Sequence, residues 1–131
     1  MIGIWSANAQ QFLLVLGIAT TIFFAIPIFA VPLVWARLML WRVPEDTNLT
    51  IYFGRCLGAF VLMMEFLILR AGVYGTGITM VFEIMMIVWI FMTIVHVWGW
   101  LTNIQPVTET IEIGLWLLLI ALTLVFWPNQ A

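Results

Sequence analysis

Glu65 sits in AFVLMMEFLILR, residues 59–70, where every neighbour before Arg70 is apolar. Glu83 stands in a similar run, TMVFEIMMIV, residues 79–88. Carboxylates inside apolar runs of this kind are rare and costly, by about 3 kcal/mol or more at a bilayer centre, and they mark functional sites by default. If the two runs form an antiparallel hairpin about Tyr74, each acid is nine residues from the turn (74 − 65 = 83 − 74 = 9). At 1.5 Å per residue both then lie about 13 Å deep, level with one another. Two carboxylates so placed do not both ionise cheaply in low dielectric. Arg70, a turn further out, can reach back to them.

The pair reads in two ways. It is a structural lock between helices, or it is a site for a proton, a cation or an amine-bearing ligand. In the second case one carboxyl donates while its ionised neighbour stabilises positive charge, a division of labour that also suits an enzyme acting on a lipophilic substrate.

His96, in FMTIVHVWGWL (residues 91–101), is the chain's one histidine. Trp89, Met92, Thr93, His96 and Trp100 share a helical face by spacing. A neutral imidazole among aromatic rings can be the axial ligand of a haem or chlorophyll-type macrocycle. The alternative is a hydrogen bond near the membrane interface, with Glu109 or Glu112 as partner.

Other chemistries find little support. Cys56 is the single cysteine, which excludes an internal disulfide and a cysteine-rich metal site. No phosphate loop, H-E-x-x-H sequence or paired-histidine motif occurs, so no metal site is expected. Ser, His and Asp are too few and scattered for a hydrolytic triad. The four cations are all arginines and form no basic stripe, which excludes a nucleic-acid partner.

The elements that must position these residues follow from composition. Of 131 residues, 66% are apolar and 8% charged, far from the soluble average of about half and a quarter. A chain this short has too little interior to hide that surface from water, so its solvent is lipid. Four apolar stretches predict one domain, 1–131, built as an all-α bundle of four antiparallel transmembrane helices. They cover about 11–36, 51–70, 78–101 and 108–127, each near the ~20 residues a bilayer requires. Pro27 and Pro32 should kink the second half of the first span. AGVYGTG, 71–77, reads as a glycine-rich turn, and TNIQPVTET, 102–110, as a loop and helix start.

Gly54 and Gly58 form GRCLG, a G-x-x-x-G spacing that lets a second helix approach closely. Glu65 falls on the same face, which points it into the bundle. Arg37, Arg42 and Arg55 lie toward one side of the membrane and Arg70 toward the other. The positive-inside rule then puts both termini outside and the two longer loops in the cytoplasm.

The segment 32–72 resembles small four-helix bacterial membrane proteins of the DoxX-like type. The resemblance is carried by a proline-ended first helix, the acidic loop PEDTN and then YFGRCLGAFVL, with Arg55, Leu57, Gly58 and Ala59 opening the second helix. It covers about a third of the chain and implies four helices in a bacterial-type inner membrane. Relatives of that type are associated with redox- or stress-linked membrane assemblies. Glu65, Glu83 and HVWGW lie outside the pattern.

The resulting expectation is a non-enzymatic accessory or scaffold subunit of a larger membrane assembly, in contact with lipid and with other subunits or copies of itself. A ligand- or proton-coupled protein using Glu65 and Glu83, or a pigment- or haem-carrying subunit using His96, is the alternative.

Overall fold

The computed structural model describes residues 2–129 and is all-helical, with no strand among them. Four helices are long and apolar enough to cross a membrane: Ser6–Ala30, Asn48–Tyr74, Ile78–Leu101 and Val107–Val125. The chain is an all-α membrane bundle.

The first span is the irregular one, and its two prolines explain why. Helix α1, Ala9–Thr20, runs into a π-helical segment, Thr21–Ala25, in which the Ile26 N–H reaches back five residues to the Thr21 carbonyl. Pro27 lies directly after, and its missing N–H and its ring disturb regular pairing with the preceding turn. Helix α2, Ile26–Ala30, ends at Val31, whose φ of −135° and ψ of 58° leave the helical region. The residue before a proline is driven out of that region by the ring that follows it. Helix α3, Pro32–Leu38, restarts with its proline in the first turn. The expected span of 11–36 is therefore broken at Val31.

Helix α4, Asn48–Tyr74, is longer than the expected 51–70 at both ends. It stops at Gly75, in the left-handed region with φ 68°, and Gly77, φ 72°, opens helix α5, Ile78–Leu101. The turn is thus Gly75–Thr76–Gly77, not 71–77. Helix α6, Val107–Val125, follows Pro106.

Packing divides the bundle into two pairs. The first span and α3 lie along α4, whereas α5 lies along α6, and α4 and α5 touch little. The glycines enforce the first pairing. A Cβ at Gly58 would stand 2.5 Å from the Phe29 backbone nitrogen, and one at Gly54 2.6 Å from Pro32 Cβ. Only glycine admits α2 and α3 so close to α4.

The pole holding the chain ends is tightly closed. Gly3 and Trp5 donate backbone N–H groups to the Leu124 and Val125 carbonyls, at 2.8 and 3.0 Å, capping the end of α6. Phe12 stacks on Phe126 with centroids 4.6 Å apart. The core of Leu13, Ile68, Phe82, Met85, Trp89 and Trp116 joins all four spans from this pole inward. At the opposite pole, where the two longer loops lie, the pairs leave an open cavity of ≈ 640 Å³.

Candidate functional site

The polar centre of the molecule is at the open pole, around His96. Helix α5 carries His96 on its inner face, 4% exposed. Its Nδ1 is 2.7 Å from the Met92 carbonyl one turn earlier. A carbonyl only accepts, so Nδ1 bears a proton and Nε2 is the nitrogen left to do chemistry.

Helix α6 brings two acids to that nitrogen. Glu109 Oε2 lies 3.0 Å from Nε2 and Glu112 Oε2 3.4 Å. Their spacing of three residues stacks them on one side of α6, and both lie near its N-terminus, where the helix dipole favours anions. The indole N–H of Trp116, one turn on from Glu112, points at Nε2 from 3.3 Å. From the first span's loop, Trp41 donates its indole N–H to Glu109 Oε1 at 2.7 Å. Thr108 donates to the Met39 carbonyl, fixing that loop to the start of α6.

The loop between α5 and α6 is held by a close approach. A Cβ at Gly99 would collide with Gln105 Oε1, and Gln105 in turn donates to Thr110 Oγ1 at 3.1 Å. Below the centre, Trp89 packs on Trp116 with centroids 5.5 Å apart and donates to Thr123 Oγ1 at 3.1 Å. His96 and Glu109 line the cavity together with Trp35, Trp41, Arg42 and Phe53.

The chemistry of Nε2 follows from its three neighbours. It accepts from Trp116 only while it carries no proton, and it donates to Glu109 only when it carries one. The imidazole and two carboxylates therefore form a place for one unit or more of positive charge, set against a cavity.

The expected Glu65–Glu83 pair is not formed. Glu65 is buried, 5% exposed, against the hydroxyls of Thr20 and Thr21 in the first span. Glu83 is on the exposed outer surface of α5. Two facts separate them. The turn is centred on Thr76, so Glu65 is 11 residues from it and Glu83 only 7 (76 − 65 and 83 − 76), a difference of about 6 Å in depth. Further, α4 turns its acid toward α1 and the π segment, not toward α5. Glu83 is the sixth residue of α5, close to the end of that span.

Arg70 is also exposed and makes no ion pair among the described residues. Glu65 Oε2 and Thr21 Oγ1 are buried without a well-formed hydrogen bond, while Thr20 donates to the Leu16 carbonyl at 2.8 Å. Cys56 is half-buried.

The macrocycle expectation for His96 meets a steric obstacle. Nε2 is covered by Glu109, Glu112 and Trp116, and the Trp116 ring lies 5.6 Å from the imidazole. In this arrangement those side chains occupy the face on which a flat macrocycle would have to sit. Trp100, placed on the same face by spacing, is exposed.

Part of this centre is legible in the sequence: a hydrogen bond from His96 to Glu109 or Glu112 is the alternative stated for the histidine, and the structure brings both acids to Nε2. Nothing in the sequence points to Trp41 or Trp116 as partners of that group. No protein-family model, curated protein or solved structure matches the chain.

Proposed function

We propose that the protein is a small integral membrane subunit whose working part is a cation-holding pole. His96, Glu109 and Glu112 take up a positively charged ligand, a proton or a small cation, presented from the adjoining cavity. One observation carries this reading: a buried imidazole nitrogen lies within 3.4 Å of two carboxylates, and the histidine and one of those acids, Glu109, line the cavity. Two carboxylates converging on one imidazole favour a bound positive charge, the more so where lipid lowers the dielectric.

The single histidine makes the test direct. With ¹⁵N-histidine in lipid nanodiscs, the Nε2 resonance should respond saturably to acid and to ammonium ions. Glu109→Gln with Glu112→Gln should abolish the response to ammonium. An Nε2 resonance indifferent to both additions defeats the proposal.

A second reading is supported by the gap between the helix pairs. In a bundle closed along its length α4 and α5 would interdigitate; here they diverge around the cavity, and Phe53, Phe60 and Phe66 of α4 are exposed. That surface suits an accessory or scaffold subunit contacting other membrane chains, consistent with the DoxX-like pattern of 32–72 and a bacterial-type inner membrane. Purification from native membranes in mild detergent tests it, and a chain migrating alone at 15.0 kDa counts against it. The proposed topology has both termini external and the His96 pole cytoplasmic. Reporter fusions at residues 46 and 104 should both report a cytoplasmic location.

A further inference from the structure

The geometry points to a specific occupant of this pole: one divalent first-row transition-metal ion, bound by His96 Nε2 and one carboxylate oxygen each from Glu109 and Glu112. The inference rests on the cation-holding reading above and sharpens it to an ion class.

Distance comes first. The three ligand atoms lie within 4.8 Å of one another. Ions with metal–ligand bonds of about 2.1 Å in a tetrahedral site hold their ligands roughly 3.4 Å apart. Nε2 is already 3.0 Å from Glu109 Oε2 and 3.4 Å from Glu112 Oε2, so small side-chain rotations complete the set.

The outer partners are those a metal site needs. The Nδ1–H donated to the Met92 carbonyl fixes the tautomer whose lone pair is on Nε2. The Trp41 indole holds the remote oxygen of Glu109, leaving Oε2 for the ion. Ligands carried by two helices, one turn apart on α6, are better fixed than ligands on loops. Trp116, whose N–H is 3.3 Å from Nε2 in the present arrangement, must turn that N–H to a carboxylate oxygen when the ion binds.

Charge and donor type select the ion. Two carboxylates with a neutral imidazole carry −2, which a divalent ion cancels, and cancellation matters most in a low-dielectric setting. One imidazole nitrogen with two carboxylate oxygens, and no thiolate, suits Zn(II), Fe(II) or Mn(II) rather than Cu(I). Three protein ligands leave a coordination position open. Because His96 and Glu109 line the cavity, that position faces it.

The test uses the full chain in lipid nanodiscs with Zn²⁺ and Co²⁺ as probes. One ion per chain should bind, with a Kd in the micromolar range or tighter. Co²⁺ should give visible d–d bands, and Zn²⁺ should shift the Nε2 resonance while Nδ1–H persists. His96→Gln and Glu112→Gln should each weaken binding about 100-fold or more, and Trp41→Phe about 10-fold as an outer-partner loss. Glu65→Gln, outside the site, should bind as the parent does. Thermal melting and helical circular dichroism identify which variants are folded.

Absence of stoichiometric Zn²⁺ or Co²⁺ binding by folded parent protein overturns the inference, as does a folded Glu112→Gln that binds with parental affinity. Failure here is separable from failure of the wider reading. If Nε2 responds to acid and ammonium but to neither metal, the metal assignment falls and the cation-holding pole stands. If it responds to none of them, both fall.

Discussion

Glu65 and His96 are almost equally buried, at 5% and 4% exposure, but they are provided for differently. His96 has a carbonyl on one nitrogen, and two carboxylates and an indole around the other. Glu65 has two threonine hydroxyls nearby, one oxygen without a good partner, and no cation facing it. The first is an arrangement in which polar groups from several elements converge, Nε2 being able to serve either Trp116 or Glu109. The second is one acid accommodated in a helix pair whose close fit was set by glycines. Burial alone therefore does not identify a working site; convergence of complementary groups from several elements does.

Removing each residue tests that contrast most strongly. His96→Leu strips the shared partner from Glu109, Glu112 and Trp116, and breaking a buried ionic cluster from one side costs about 3 kcal/mol. Reversible unfolding in mixed micelles should register that loss. Glu65→Leu should go the other way, leaving stability unchanged or raising it by about 1 kcal/mol, since an under-bonded buried polar group is replaced by an apolar one. Equal destabilisation by both substitutions would erase the distinction.

Gly58→Leu probes what holds Glu65 in place. With a Cβ position 2.5 Å from the Phe29 backbone, α2 must move away from α4, at a cost of about 2 kcal/mol for overpacking. The same variant should leave the ¹⁵N signature of His96 intact, because α5 and α6 form a separate pair. A shifted Nε2 resonance would mean that the two halves are coupled. A smaller effect is expected from Trp89→Phe, which deletes the hydrogen bond to Thr123 and should cost about 1 kcal/mol. Glu83→Gln, on the outer surface, should change stability by less than about 0.5 kcal/mol.

Much of the architecture was legible from residue order. Four charge-poor apolar runs predict four spans, and the third agrees with α5 to the residue. The G-x-x-x-G spacing marks a close helix contact, and the structure fills it with Phe29 and Pro32. Less legible was the site. Placing the turn at Tyr74 instead of Thr76 moved Glu65 and Glu83 onto one level, and a two-residue error in a turn centre changes relative depth by about 6 Å. The assumption that the second and third spans pack closely on one another was the larger error, because α4 packs on the first span and α5 on α6.

Composition and periodicity by themselves determined the solvent, the number of spans and the burial of Glu65, since these follow from local apolar content and from which residues share a helical face. Residue types offered two acid sites, a Glu65–Glu83 pair and a partner for His96 in Glu109 or Glu112; only the tertiary structure decided for the second and added the indoles. His96 lies 13 residues from Glu109 on another helix, and Trp41, which donates to Glu109, lies 68 residues from it. A sequence records which groups can attract one another. Which of them meet is set by how the glycines, prolines and turns pair the helices.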